Sequence, residues 1–193
     1  MLGLKLPTDP RWVNLAEKSI EEILTDHAYC EQKATSTAIS LIQNYPDFEI
    51  VIERLSPIVR EEWGHFDLVV QQLQKRGLKL GLQRKDVYVN QLFKFLRNGG
   101  SRRESLTDKL LMSALIEARS CERFKLLSLH ISDAELKQFY KNLMISEAGH
   151  YKLFLDMACE LSDKETVMNR WDEWLQYEAE IMQNIALRGD RVH

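Results

Sequence analysis

Two stretches, Arg60-Glu61-Glu62-Trp63-Gly64-His65-Phe66 and Ser146-Glu147-Ala148-Gly149-His150-Tyr151, constrain this chain more than anything else in it. Each holds Glu-x-x-His, and the two histidines are 85 residues apart. On a helix that spacing sets a carboxylate and an imidazole on one face, about one turn apart. Earlier in each half a further glutamate interrupts an apolar stripe. Glu31 shares its face with Leu24, Ala28, Ala34, Thr35 and Ala38; Glu117 shares its own with Leu110, Ser113, Ala114, Cys121 and Phe124. Glu31 and Glu117 are 86 residues apart, so the pattern is an internal repeat. A carboxylate on an apolar face is costly to bury unless it is paired or binds a metal. Four of them together would repel strongly in a low dielectric. Two divalent cations would neutralise all four.

One carboxylate from each of two helices, with Glu-x-x-His from each of two others, is the ligand set of ferritin-like di-iron and di-manganese bundles. Glu31 and Glu117 are expected as terminal ligands, Glu62 and Glu147 as bridges, and His65 and His150 as caps. Glu122 competes with Glu117. Glu31 and Glu117 each lie 13 residues before a chain break, at Asn44 and His130, whereas Glu122 lies 8 before. Glu122, with Arg119 and Lys125 a turn either way, is expected to be a solvated surface acid. Carboxylate-rich sites with few imidazoles suit iron or manganese better than zinc. Each ring nitrogen left free wants an acceptor. Glu61 and Ser146 are the candidates, each for the histidine of the opposite motif. His27, one turn before Glu31, is expected to be structural.

The rest of the sequence agrees with an all-α fold. Gly (8) and Pro (4) are scarce in 193 residues, which favours long helices over a turn-rich β fold. The expected architecture is a ferritin-like four-helix bundle with one long crossover and flanking helices, in one domain over 1–193. Ligand hairpins span about 12–76 and 105–161, the crossover 77–104, and a C-terminal helix 163–187. Ser56-Pro57 should kink or restart the second helix, Gly77 and Gly81 should end it, and Ser162-x-x-Glu165 should cap the last. One short helix is expected at 86–97. No apolar run approaches the ~18 residues of a membrane span, and no secretory leader is expected. Cys30, Cys121 and Cys159 lack metal-finger spacing, so reduced thiols in a cytoplasmic, monomeric protein are expected.

Charge is unevenly spread. Between Lys75 and Arg103 there are nine basic residues and one acid, a balance of +8, while the remainder carries −11. Such asymmetry points to an anionic partner held locally. Arg84, Lys85, Lys94, Arg97, Arg102 and Arg103 are the candidate phosphate contacts, and Tyr88, Phe93 or Phe95 the candidate base-stacking rings.

Three segments carry a family resemblance: Leu6-Pro7-Thr8-Asp9-Pro10-Arg11-Trp12-Val13, Arg60-Glu61-Glu62-x-x-His65-Phe66 and Ala114-Leu115-Ile116-Glu117-Ala118-Arg119-Ser120-Cys121-Glu122-Arg123-Phe124. Over nearly its whole length the chain resembles the tRNA hydroxylases that act on 2-methylthio-isopentenyl-adenosine. The resemblance implies a ferritin-like monooxygenase with a non-haem di-iron centre and O2 as co-substrate. It also implies an external electron donor (a reductase partner) and tRNA as substrate, hydroxylated on the isopentenyl group beside the anticodon. Its six ligand positions fall on Glu31, Glu62, His65, Glu117, Glu147 and His150. The six ligands alone also suit a ferroxidase, a peroxidase or a manganese catalase, and a non-enzymatic scaffold is a further alternative.

Overall fold

The computed structural model describes residues 2–192. Among them there is no strand; seven α-helices and one short 3-10 turn make up the regular structure. The chain divides into two compact units. One comprises Arg11–Lys85 with Arg188–Val192, the other residues 2–10 with Asp86–Leu187.

The first unit is built on α1 (Arg11–Glu17), α2 (Ile20–Asn44) and α3 (Glu49–Lys75), with α2 and α3 packed as a hairpin. The helical pattern expected to run unbroken from Trp12 is split at Lys18 and Ser19. There the amides of both residues reach back three residues, to the carbonyls of Leu15 and Ala16. The tail 188–192 lies against this corner. A β-carbon on Gly189 would stand 2.2 Å from the Leu15 carbonyl carbon, so only glycine fits. The tail is held by Trp12 Nε1 donating to the Arg188 carbonyl and by the Val192 amide donating to Asp26.

α3 does not restart at Ser56-Pro57. It runs through Pro57, and the Ser56 hydroxyl donates to the Ile52 carbonyl instead of capping. The amide that proline lacks would have bonded Glu53, and both residues face solvent, so water can serve that carbonyl. Gly77 ends the helix with φ +66°. The Leu78 amide bonds the Leu73 carbonyl and the Gly77 amide bonds that of Gln74, a Schellman closure. Gly81 does not act as a stop. Its amide donates to Thr25 Oγ1 and its carbonyl accepts from Tyr29, fastening the loop to α2.

The second unit holds α4 (Val87–Leu92), the 3-10 turn Phe93–Phe95, α5 (Arg102–His130), α6 (Ala134–Leu161) and α7 (Lys164–Asn184). α5 and α6 form its hairpin, and α7 packs on both. α5 starts earlier than the expected Ser105 because Ser101 and Glu104 form a capping box. α7 is capped by Asp163, which accepts from the Thr166 amide, so the Ser162-x-x-Glu165 box does not form. Val167, Trp171, Trp174 and Ile181 of α7 are buried, as its apolar stripe requires. No helix among the described residues is long and apolar enough to cross a membrane.

Candidate metal centre

In the first unit α2 contributes Glu31 and α3 contributes Glu62 and His65, all buried. The reason is periodicity. Thirteen residues separate Glu31 from the end of α2, and Glu62 lies thirteen into α3, so the hairpin sets them level. One ligand atom from each residue lies within 4.8 Å of the others. His65 Nδ1 stands 3.3 Å from Glu62 Oε2 and 3.7 Å from Glu31 Oε2. His27 Nε2 lies 2.6 Å from Glu31 Oε1. Burial pushes the Glu31 carboxyl up to about 8; the Glu62 carboxylate adds to the rise and His65 opposes it. A cation at this spot would reverse that cost.

The second unit repeats the arrangement. Glu117 on α5 and Glu147 and His150 on α6 are buried, with ligand atoms within 4.8 Å of one another. His150 Nδ1 is 3.2 Å from Glu147 Oε2. Nearby Cys121 donates its S–H to the Met144 carbonyl at 3.3 Å. Burial, helped by the Glu147 carboxylate, pushes its thiol up to about 11, so it stays protonated and is a poor ligand. All three cysteines are free thiols. Each unit therefore offers two buried carboxylates and one imidazole, a hard-oxygen and nitrogen donor set that fits a divalent metal.

The predicted surroundings are less regular. Glu61 approaches His65 on its own helix, at 4.0 Å, too long for a hydrogen bond. Ser146 is half-buried on α6. Glu122 is not a solvated acid. It accepts from the Thr8 hydroxyl at 2.7 Å and from Arg119, which is fully buried and forms a two-pronged pair with Glu178 at 2.8 and 2.9 Å. Arg119 also donates to Thr8 and to the Leu6 carbonyl. Glu117 and Glu122 thus serve different faces of α5: the first joins the donor cluster, the second fastens residues 2–10. The sequence signal for this is Arg119 itself, in the same motif as both.

Of the candidate phosphate contacts, Arg84 is bound to Asp190 at 2.6 Å and to the Glu22 carbonyl, and Arg103 caps α6 through the Leu161 carbonyl at 2.8 Å. Lys94 reaches Gln91, and the Arg97 side chain lies 4.0 Å from Glu173. Lys85 and Arg102 are exposed. Among the rings, Tyr88 is buried on Glu178 and Phe95 stacks on Tyr177 with centroids 4.3 Å apart, whereas Phe93 is 51% exposed. The first two are structural rings, which corrects the expectation that they could take a base. The exposed aromatic that the sequence does not single out is Trp63, 48% exposed and stacked on Phe66.

An all-helical chain with a Glu, Glu, His trio buried in each of two helical hairpins has a ferritin-like fold. A solved structure titled "Protein 43 with aldehyde deformylating oxygenase activity from Synechococcus" matches it with a TM-score of 0.92. The match covers 98% of this chain and 94% of that chain at 32% identity. The chain belongs to the family described as tRNA-(MS[2]IO[6]A)-hydroxylase (MiaE), whose model matches residues 2–193. A Pseudomonas putida protein named tRNA 2-(methylsulfanyl)-N(6)-isopentenyladenosine(37) hydroxylase is 38% identical over 164 residues, 85% of this chain and 78% of that protein. A Salmonella typhimurium protein of the same name is 29% identical over 239 aligned positions, 97% of this chain and 85% of that protein.

Proposed function

We propose that this protein is a tRNA-modifying monooxygenase. Its reaction is hydroxylation of the isopentenyl side chain of 2-methylthio-isopentenyl-adenosine beside the anticodon. In this reading Glu31, Glu62, His65, Glu117, Glu147 and His150 together hold two iron ions, with O2 as co-substrate and electrons from an outside reductase. The observation that carries it is the buried Glu, Glu, His trio present twice in a chain whose full length matches a hydroxylase family.

A bound iron pair supplies the O2 activation that oxidation of an unactivated C–H bond needs. The protein's own residues do the remainder. The four carboxylates offer four negative charges to two divalent cations, so the loaded centre is close to neutral and tolerates its buried position. The apolar neighbours Leu24, Ala28 and Ala38 on α2, and Phe124, Tyr140, Leu143 and Phe154 around the second trio, keep water from the centre and suit a hydrocarbon side chain. The exposed bases of the 75–103 segment supply phosphate contacts for the tRNA.

The neighbour with aldehyde deformylating oxygenase activity favours a second reading, in which the same centre acts on an aldehyde. One assay separates them. Reduced, iron-loaded protein is given O2 with tRNA carrying the hypermodified adenosine, and in parallel with a fatty aldehyde. Gain of one oxygen atom on the nucleoside, lost in Glu31→Ala and Glu117→Ala together with one iron each, is the expected result. Chain-shortened product from the aldehyde with unmodified tRNA would instead establish the second reading. Full iron content and normal turnover in either variant would remove these residues from the site.

A further inference from the structure

The internal repeat is broken beside one ligand. Superposing Glu31 on Glu117 by the 86-residue offset sets His27 opposite Ser113. Both are buried, His27 completely. Only one half therefore has an imidazole one turn before its terminal glutamate. That imidazole is aimed. Nε2 lies 2.6 Å from Glu31 Oε1, a short contact of the charge-assisted kind. The other carboxylate oxygen, Oε2, is the one that faces His65 Nδ1 at 3.7 Å. The two oxygens of Glu31 are thus divided, one turned back along α2 and one turned into the donor cluster. A glutamate side chain has three rotatable bonds, and a hydrogen bond to its outer oxygen removes much of that freedom before any ligand arrives. Serine has no ring nitrogen and a far shorter reach, so Glu117 lacks this device.

We propose that His27 is a positioning residue: by donating Nε2–H to Glu31 Oε1 it presents Oε2 to the metal and makes the two metal positions unequal, the one served by Glu31 being the tighter. This rests on the reading of Glu31 and Glu117 as ligands. The donor direction follows from the chemistry, since a metal-bound carboxylate has only acceptors to offer. Partners of this kind are worth about 10–100-fold in metal affinity.

The test is an anaerobic titration of the metal-free full chain with Co(II), followed by visible absorption and by calorimetry. Wild-type protein is expected to fill two sites in separate steps. His27→Met fills the volume and removes the donor; it should weaken one step by about 10–100-fold and leave the other. His27→Gln keeps an N–H and should stay within about threefold of wild type. Ser113→Ala should move neither step. Both His27 variants disturb packing alike, so their difference isolates the hydrogen bond, and their melting temperatures should agree. Equal weakening in the Met and Gln variants, or none in either, overturns the proposal. Glu31→Ala keeps its failure distinct from that of the ligand reading. If Glu31→Ala loses a Co(II) step while His27→Met does not, only the role of His27 falls. If Glu31→Ala binds two Co(II) as wild type does, the ligand reading falls.

Discussion

Asp108, on α5, collects four hydrogen bonds: Arg170 Nε at 2.7 Å and Nη2 at 3.1 Å, Trp174 Nε1 at 3.0 Å and the Arg97 amide at 2.8 Å. Burial works against its charge, but Arg170, the Arg97 amide and Trp174 outweigh it and hold the carboxyl below its ordinary 3.8. A depressed folded-state value means stability that is fully present above pH 3.8 and lost as pH falls through the folded value. Asp108→Asn leaves Arg170 without its buried partner and should cost about 3–5 kcal/mol near neutral pH. Melting curves from pH 6 to 2.5 check this, and the gap between wild type and variant should close as pH drops below 3.8. A gap that stays constant down to pH 2.5 would show that packing, not charge, holds the site. None of this is legible in the sequence, because Arg170 and Asp108 are 62 residues apart and no spacing rule connects them. The six ligand candidates are legible for the opposite reason. Each is a charged group on an otherwise apolar helical stripe, so local periodicity alone exposes it. His27 shares that stripe, but sequence gives only its height on the helix, not the direction of its ring.

The helices are legible to within a turn wherever a glycine or proline interrupts the periodic pattern, and less so where a side-chain cap sets the end. Ser101 and Glu104 stand in the basic crossover, which reads as connection, so the capping box that starts α5 is hidden there. Ser162 has the spacing of a cap, yet Asp163, one residue on, holds the stronger acceptor and takes the position. Glycines divide by backbone angle in a way that can be measured. Gly77 sits at φ +66° in the closure of α3, so Gly77→Ala should lower stability by about 1 kcal/mol. Gly64 and Gly149 lie inside α3 and α6, one residue before each histidine of the repeat, and a β-carbon on either would meet nothing within 4 Å. Gly64→Ala and Gly149→Ala should each raise stability by roughly 0.5–1 kcal/mol, because alanine costs less conformational entropy on a helix. Urea unfolding of the three variants decides the matter, and a loss of stability at Gly64 or Gly149 would mean the helix there is not regular in solution.

Across the whole molecule the uneven charge is the property that the metal ligands do not explain, since six buried ligands require no basic surface. The structure redistributes the work within the +8 segment. Arg84 holds the tail through Asp190, and Arg103 closes α6, so neither is spare for a phosphate. Lys79 and Lys85 are exposed on a loop held to α2 through the Lys79 amide on Glu21 and through Gly81 on Thr25 and Tyr29. A fixed loop with projecting lysines loses little entropy when it meets a phosphate chain. Lys79→Glu with Lys85→Glu should therefore weaken tRNA binding and flatten its dependence on salt. The slope of log affinity against log salt should shrink by roughly 0.7–0.9 for each phosphate that is no longer neutralised. The same charge change at exposed Lys18 and Lys141, outside the segment, should leave the slope within error. Filter binding over a series of KCl concentrations measures both. The loop pair acts on binding alone, so the variant should keep wild-type melting behaviour, whereas Arg84→Glu should destabilise the fold by breaking its tie to Asp190. If the loop double variant and the Lys18, Lys141 control shift the slope equally, the tRNA responds to net charge rather than to this segment, and its phosphates are held elsewhere on the surface.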